Sequence, residues 1–182
     1  MEDLPAETRP FGRSVVAVVQ GDITRVAADA IVNAANNAFA NGGGVDGAIR
    51  KAAGPELSGE MRRRYPGGTP TGSAVATDAY ALPARWVSHA VGPVWGFGGQ
   101  DKLDLLASAY RTAMQVADTL GAKTISSPAI SAGTFGFPVE TAADVALRTV
   151  RDYVLGETGI ERVTFVLSQG AFEAFRRRLA SI

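Results

Sequence analysis

The sequence predicts an α/β protein, a three-layer α/β/α sandwich around one central mixed β-sheet. Two observations carry that reading. Short β-branched runs alternate along the chain with stretches whose apolar residues recur every three or four positions. Glycine-bearing segments follow several of the apolar runs, where loops at strand ends belong. At 182 residues the chain has room for one well-buried core and not for two comfortable domains.

Taken in order, residues 1–13 (MEDLPAETRPFGR) read as a flexible N-terminal arm, and 14–182 as the single domain. Ser14–Gln20 (SVVAVVQ) suits a buried strand that Gly21 ends. Ala30–Val32 is a second, closed by an asparagine-containing turn. Val45–Ala53 reads as a helix directly after three glycines. Pro55–Arg64 follows as another, with its proline in the first turn, where a missing N–H is harmless. PGGTPTG at 66–72 is a loop. Ser73–Thr77 and Trp86–Val91 are strands on either side of a turn at Leu82–Pro83, and GPVWGFGGQ at 92–100 is a second glycine-rich connection. Over Asp101–Leu120, Leu103, Leu106, Tyr110, Met114 and Ala117 recur at helical steps until Gly121 caps the run. Lys123–Ser127 and Arg162–Leu167 are strands, and Val139–Leu155 and Ala171–Ala180 are helices.

Composition narrows the chemistry. Basic and acidic residues balance at 18 each, so no bulk field points to nucleic acid or a membrane surface. There is no cysteine, which excludes disulfides, thiolate metal sites and cysteine nucleophiles. One histidine, His89, excludes multi-histidine metal sites and histidine relays. No metal and no cofactor is expected. The N-terminus is acidic, carries two prolines and lacks an apolar h-region, and no run of about eighteen apolar residues occurs, so the expectation is a cytoplasmic, monomeric protein.

The chemistry concentrates in residues 31–47, IVNAANNAFANGGGVDG. Three glycines cannot pack a core and cost backbone entropy to order. Their use is to bring main-chain N–H groups close to a ligand. Gly42, Gly43 and Gly44 run straight into a helix, and amides at a helix N-terminus attract phosphate. Asn33 and Asn36 before the loop can read hydroxyl groups, and Asp46 supplies a lone acid, so the segment suits a nucleotide-like ligand. A second small-residue loop, AISAGTFGFP at 129–138, follows the strand ending at Ser127, and two such loops at neighbouring strand ends can grip a diphosphate from both sides.

Plainer readings compete. Gly42, Gly44 and Gly47 formally spell a dinucleotide-binding pattern, but no strand directly precedes them and PGGTP at 66–70 lacks the expected acid. No P-loop is present. Asp46 could cap its helix, and Asp22 in GDIT could be a turn residue. His89 in WVSHAV reads as a hydrogen-bonded structural histidine, and the triple arginines at 62–64 and 176–178 read as solvated helix ends. Phe135 and Phe137 are either core plugs or, beside a ribose, a stacking surface.

GDIT at 21–24, DAIVNAANN at 29–37, GGGVDGAI at 42–49, AAGPEL at 52–57, LPARWVSHAVGP at 82–93 and PAISAGTFGFP at 128–138 together resemble the macrodomain family, in particular its MacroD-type ADP-ribose hydrolases. The resemblance implies an α/β/α sandwich that binds ADP-ribose. It also implies hydrolysis of ADP-ribosyl esters, on modified Asp and Glu side chains of partner proteins and in O-acetyl-ADP-ribose. A non-catalytic ADP-ribose reader and an ADP-ribose 1″-phosphate phosphatase remain alternatives.

Carried over by position, Asp22 matches the acid that holds the adenine amino group, with Gly21 and the Ile23 amide beside it. Asn36 matches the asparagine that orients the distal ribose, and Asp46 the acid linked to catalysis. Gly42, Gly43, Gly44 and Val45 match the first phosphate loop. Ser131, Ala132, Gly133, Thr134, Phe135 and Gly136 match the second, with Phe135 against the distal ribose. Three positions depart from the pattern: Asn41 stands for a fourth glycine, Arg50 for a histidine, and Ser168 for an aromatic that stacks on adenine. With no thiol and no serine–histidine relay, the expected attacker is a water activated by a carboxylate or by the substrate's own phosphate.

Overall fold

The computed structural model describes residues 6–182. Seven strands form one sheet: β1 (Ala6–Phe11), β2 (Ser14–Gln20), β3 (Ala30–Ala35), β4 (Ala74–Asp78), β5 (Trp86–Val91), β6 (Thr124–Ser127) and β7 (Arg162–Leu167). Their spatial order is β1-β2-β7-β6-β3-β5-β4. The five inner strands are mutually parallel, and β1 and β4 pair antiparallel at the two edges, so the sheet is mixed.

Five helices cover it: α1 (Gly44–Ala53), α2 (Pro55–Arg64), α3 (Gln100–Thr119), α4 (Val139–Val154) and α5 (Gln169–Ser181). The two-residue period of the strands builds two cores. Val16, Val18, Val32, Ile125 and Phe165 face α3, α4 and α5, where Tyr110, Leu147 and Phe175 are fully buried. Val19, Ile31, Val87 and Val91 face α1 and α2, against Ile49, Leu57 and Met61. Each such buried side chain stabilises the fold by about 1.5–3 kcal/mol. A three-layer α/β/α sandwich results.

Two sequence expectations need correction. Residues 1–5 of the expected flexible arm lie outside the described residues, but residues 6–11 are strand β1 of the domain. Arg9 and Phe11 turn inward while Thr8 and Pro10 are exposed, and proline is tolerated there because β1 is an edge. A two-residue turn with Gly12 at φ +61° returns the chain into β2, and Arg9 Nη1 donates to Leu179 O (3.1 Å) and Ala180 O (3.3 Å) at the end of α5. The second correction concerns β3, which runs to Ala35 instead of stopping at Val32. Asn33 looks like a turn former in sequence, yet it is wholly buried opposite His89 of β5, where its amide is hydrogen-bonded.

The sheet also sets where a ligand can enter. Asp29 locks the starts of β3 and β6 together, its carboxylate accepting from Lys123 N (2.8 Å) and Thr124 N (3.2 Å). The pairing lasts only through Ala30↔Ile125 and Ile31↔Ser126. Beyond it β3 feeds α1 on one face of the sheet, and β6 feeds α4 on the other. A crevice at the carboxyl ends of two adjacent parallel strands whose connections diverge is where α/β sheets take ligands.

Candidate functional site

That crevice is a cavity of about 250 Å³. Ala34 and Ala35 at the end of β3 form its floor, and the start of α1 (Gly43, Gly44, Val45, Asp46) forms one wall. Gly92, just past β5, and the segments Ala129–Ser131 and Gly133–Phe135 after β6 form the other. Gly43 is the N-cap of α1 and offers no side chain to its first-turn amides. These unsatisfied N–H groups and the positive end of the helix dipole therefore face the cavity, an arrangement that favours an anion. Gly44 sits at φ +55°, a conformation glycine adopts without strain. Across the cavity, a Cβ on Gly92 would collide with Ser131 Oγ, so glycine there is what lets the two walls close.

The second loop is held rigidly. Tyr110, fully buried on α3, donates from its hydroxyl to Pro128 O (3.2 Å) and accepts from Ile130 N (2.8 Å). Burial pushes its pKa up, so it stays a neutral hydroxyl. Phe137 N donates to Ser131 O (3.0 Å), and Trp95 N donates to Phe135 O (2.8 Å). Of the two loop aromatics, Phe137 is the core plug, its ring 4.7 Å from that of Trp95, and Phe135 lines the cavity. Ser131 is a non-glycine residue at φ +65°, and its buried hydroxyl has no protein partner. An unpaired polar atom and a left-handed backbone in one cavity wall mark a place where function outweighs local stability.

Asp46 stands in the first turn of α1 and is 4% exposed. Its Oδ1 accepts from Asn33 Nδ2 (2.8 Å) and its Oδ2 from Gly42 N (2.8 Å). Arg50 Nε lies 3.1 Å from Oδ1 and 3.0 Å from Oδ2. Behind this, His89 is enclosed between Asn33 Nδ2 (3.1 Å from Nδ1) and Thr77 Oγ1 (2.9 Å from Nε2). Burial, then the charge of Arg50, pushes the His89 pKa down to about 3. It is a structural histidine, held neutral at ordinary pH.

The structure brings eight of the residues singled out in the sequence to the cavity: Gly43, Gly44, Val45 and Asp46 from the first loop, Ser131, Gly133, Thr134 and Phe135 from the second. The others stand around it. Asn33 is fully buried behind the wall and reaches the cavity only through Asp46. Asn36 braces its own loop, donating to Ala40 O (2.9 Å) and accepting from Ala40 N (3.0 Å). Gly42 lies on the outer side of the first loop. Ala132 packs against the core, and Gly136 turns the second loop at φ +78°.

Gly21, Asp22 and Ile23 sit farther along the same sheet edge, at the end of β2. Asp22 there caps a 3₁₀ turn by accepting from Thr24 N (3.0 Å) and Thr24 Oγ1 (2.7 Å). Those bonds, the hydroxyl one first, lower its pKa. Gly21 N donates to Leu167 O, which puts Ser168 beside it at the start of α5. Sequence reasoning missed Ala34, Ala35 and Gly92 as cavity lining, and Tyr110 as the post behind the second loop. Gly92 carried a signal, since it opens a glycine-rich connection. Tyr110 carried none beyond its helical spacing.

Comparisons with known proteins agree with this geometry. The Macro domain family model matches residues 32–146, and the chain belongs to that family. It is 50% identical over 169 residues to a macro domain-containing protein of Streptomyces coelicolor, covering 90% of this chain and 98% of that one. It is 49% identical over 156 residues to an O-acetyl-ADP-ribose deacetylase of Escherichia fergusonii, covering 85% and 88%. Among solved structures, the Oceanobacillus iheyensis macrodomain with ADP superposes with a TM-score of 0.91 at 34% identity, covering 98% of this chain and 97% of that one. Solved variants of that macrodomain alter an asparagine, a glycine seven residues later and an aspartate ten residues later, the last two offsets being those of Gly43 and Asp46 from Asn36 here.

Proposed function

We propose that this macrodomain binds ADP-ribose and hydrolyses ADP-ribosyl esters, both those on Asp and Glu side chains and O-acetyl-ADP-ribose. The observation that carries the reading is the meeting of an uncapped helix N-terminus and a rigid glycine-bearing loop around one cavity, with the Asp46 carboxylate in its wall. A cavity of about 250 Å³ is below the usual 300–1,000 Å³ of ligand pockets, so it takes the diphosphate and distal ribose. The base would lie outside it, along the strand ends towards Gly21–Ile23.

In the reaction water is added across the ester, giving the free acid and a free ribose hydroxyl. A carboxylate has about four lone-pair directions. Asn33, Gly42 and Arg50 occupy three of those on Asp46, and the fourth can hold the attacking water. Asn36 keeps one N–H and one lone pair for ribose hydroxyls after bracing Ala40. The relatives named for deacetylation and for bound ADP support this assignment by similarity.

One observation favours a second reading, a binding module without turnover: the carboxylate is already held by three donors, one of them a cation. Calorimetric titration with ADP-ribose tests the part both readings share. Saturable heat with one site per chain is expected, and no heat in demonstrably folded protein would overturn both.

A further inference from the structure

Two positions that depart from the family's motif, Asn41 and Arg50, meet in the fold: Arg50 Nη1 donates to Asn41 Oδ1 at 3.0 Å. The same guanidinium reaches Phe39 O through Nη2 (2.9 Å), Ser58 Oγ on α2 through Nη1 (3.0 Å) and Asp46 through Nε. It therefore holds the first glycine loop at two points while gripping the carboxylate in the cavity wall. Gly42 N, donating to Asp46 Oδ2, closes the circuit from the loop side. The side chains of Arg50 and Asp46 are 9% and 5% exposed, so water competes little for these bonds.

Phe39 makes the tie more than an ordinary helical ion pair. It is a buried aromatic at φ +55°, strained for a side chain of that size, and its carbonyl is one of the groups Arg50 holds. A buried ion pair is by itself weak evidence of stability. A planar fork of five donors is required only if several acceptors must keep fixed mutual positions.

We propose that Arg50, with Asn41, is a positioning strap that fixes the first phosphate loop relative to Asp46, so that ligand diphosphate and carboxylate share one frame. This rests on the ADP-ribosyl ester reading. Lysine can keep the charge pair with Asp46 but cannot reach the loop at the same time.

The test measures ADP-ribose affinity, ester-hydrolysis kinetics and amide hydrogen exchange for wild type, Arg50→Lys, Asn41→Gly and the double variant, with folding checked by circular dichroism. Losing charge-assisted bonds to the loop should weaken ADP-ribose binding and raise KM about tenfold in Arg50→Lys, and kcat should also fall about tenfold because diphosphate and carboxylate no longer share one frame. Asn41→Gly should weaken binding about threefold, and adding it to Arg50→Lys should cost almost nothing more, since the strap is already broken. Exchange at the Gly42 amide should quicken in Arg50→Lys while the α4 amides stay unchanged. Wild-type affinity in Arg50→Lys, or effects of the two substitutions that simply multiply, would overturn the strap. If wild type bound no ADP-ribose, the functional reading would fall, and exchange at Gly42 would decide the strap alone. If Arg50→Lys did not fold, Asn41→Gly, which leaves the ion pair intact, would carry the test.

Discussion

Asn33 Nδ2 lies 3.1 Å from His89 Nδ1, and the proton in that contact belongs to Asn33. The same nitrogen is 2.8 Å from Asp46 Oδ1, an acceptor, so the amide must turn its NH₂ to both. On the far side of the ring, the single hydroxyl proton of Thr77 goes to Asp78 O, so His89 Nε2 must be the donor to Thr77 Oγ1. Donation thus starts at the Asn33 amide and runs two ways, to the Asp46 carboxylate in the cavity wall and, through His89 and Thr77, to strand β4, and this chain assigns the Nε2–H tautomer to His89.

Breaking that chain at Asn33 should cost stability in proportion to what is left unpaired. Asn33→Leu strips one donor from Asp46 and leaves His89 Nδ1 buried without a partner, a loss of about 2 kcal/mol. Asn33→Asp sets a second carboxylate against Asp46 and should cost about 4 kcal/mol. Urea denaturation of the two variants beside wild type checks the order. Equal stabilities would show that Asn33 does not hold Asp46.

The depressed pKa of His89 makes stability pH-dependent with a definite sign. Below the ordinary value of 6.5 the unfolded chain takes up a proton that the folded protein refuses until about pH 3. Unfolding is therefore favoured as pH falls through that window, by about 1.4 kcal/mol per unit once the unfolded histidine is fully protonated. His89→Asn, compared with wild type between pH 7 and 4, should show a shallower loss of stability. Parallel curves would mean that the histidine protonates in the folded state.

Two helical glycines should respond oppositely to alanine. Gly59 on α2 has nothing within 4 Å of a would-be Cβ, so Gly59→Ala should stabilise by about 0.5–1 kcal/mol. On α1, a Cβ at Gly47 would fall 2.7 Å from Gly42 O, a backbone atom of the first loop. Overpacking of about 1–3 kcal/mol outweighs the helix gain there, so Gly47→Ala should destabilise and also weaken ADP-ribose binding. Thermal melts and calorimetry read both effects, and a stabilised Gly47→Ala that binds normally would contradict them.

Ser168 is exposed at the start of α5, next to Gly21, where the base would emerge from the cavity. Ser168→Phe should tighten ADP-ribose binding about fivefold, the effect of one aromatic stack of about 1 kcal/mol. Unchanged affinity would place the base elsewhere.

Most of the fold could be read from the chain because strands and helices here obey their periods closely. The lapses share a cause. Asn33 reads as a turn and ends β3 early, because its burial depends on partners at 46 and 89 that no local window contains. The strand at 6–11 hides behind Pro10, which matters little on an edge. At the site, glycine runs announce both loops. The Tyr110 post and the unpaired Ser131 hydroxyl arise from tertiary approach between separate segments, and the Arg50–Asn41 contact from how the first loop folds back on α1, so none of them has a local signature.

Turnover at this site should depend on Asp46. Its most direct measurement is the release of ADP-ribose from a protein mono-ADP-ribosylated on glutamate, by wild type and by Asp46→Ala, with melts confirming that both are folded. Wild type should give steady release that EDTA leaves unchanged. Asp46→Ala should be slower by about 10²-fold or more while still binding ADP-ribose within about tenfold of wild type. Equal rates from the two proteins, or no release by a wild type that binds ADP-ribose, would contradict it.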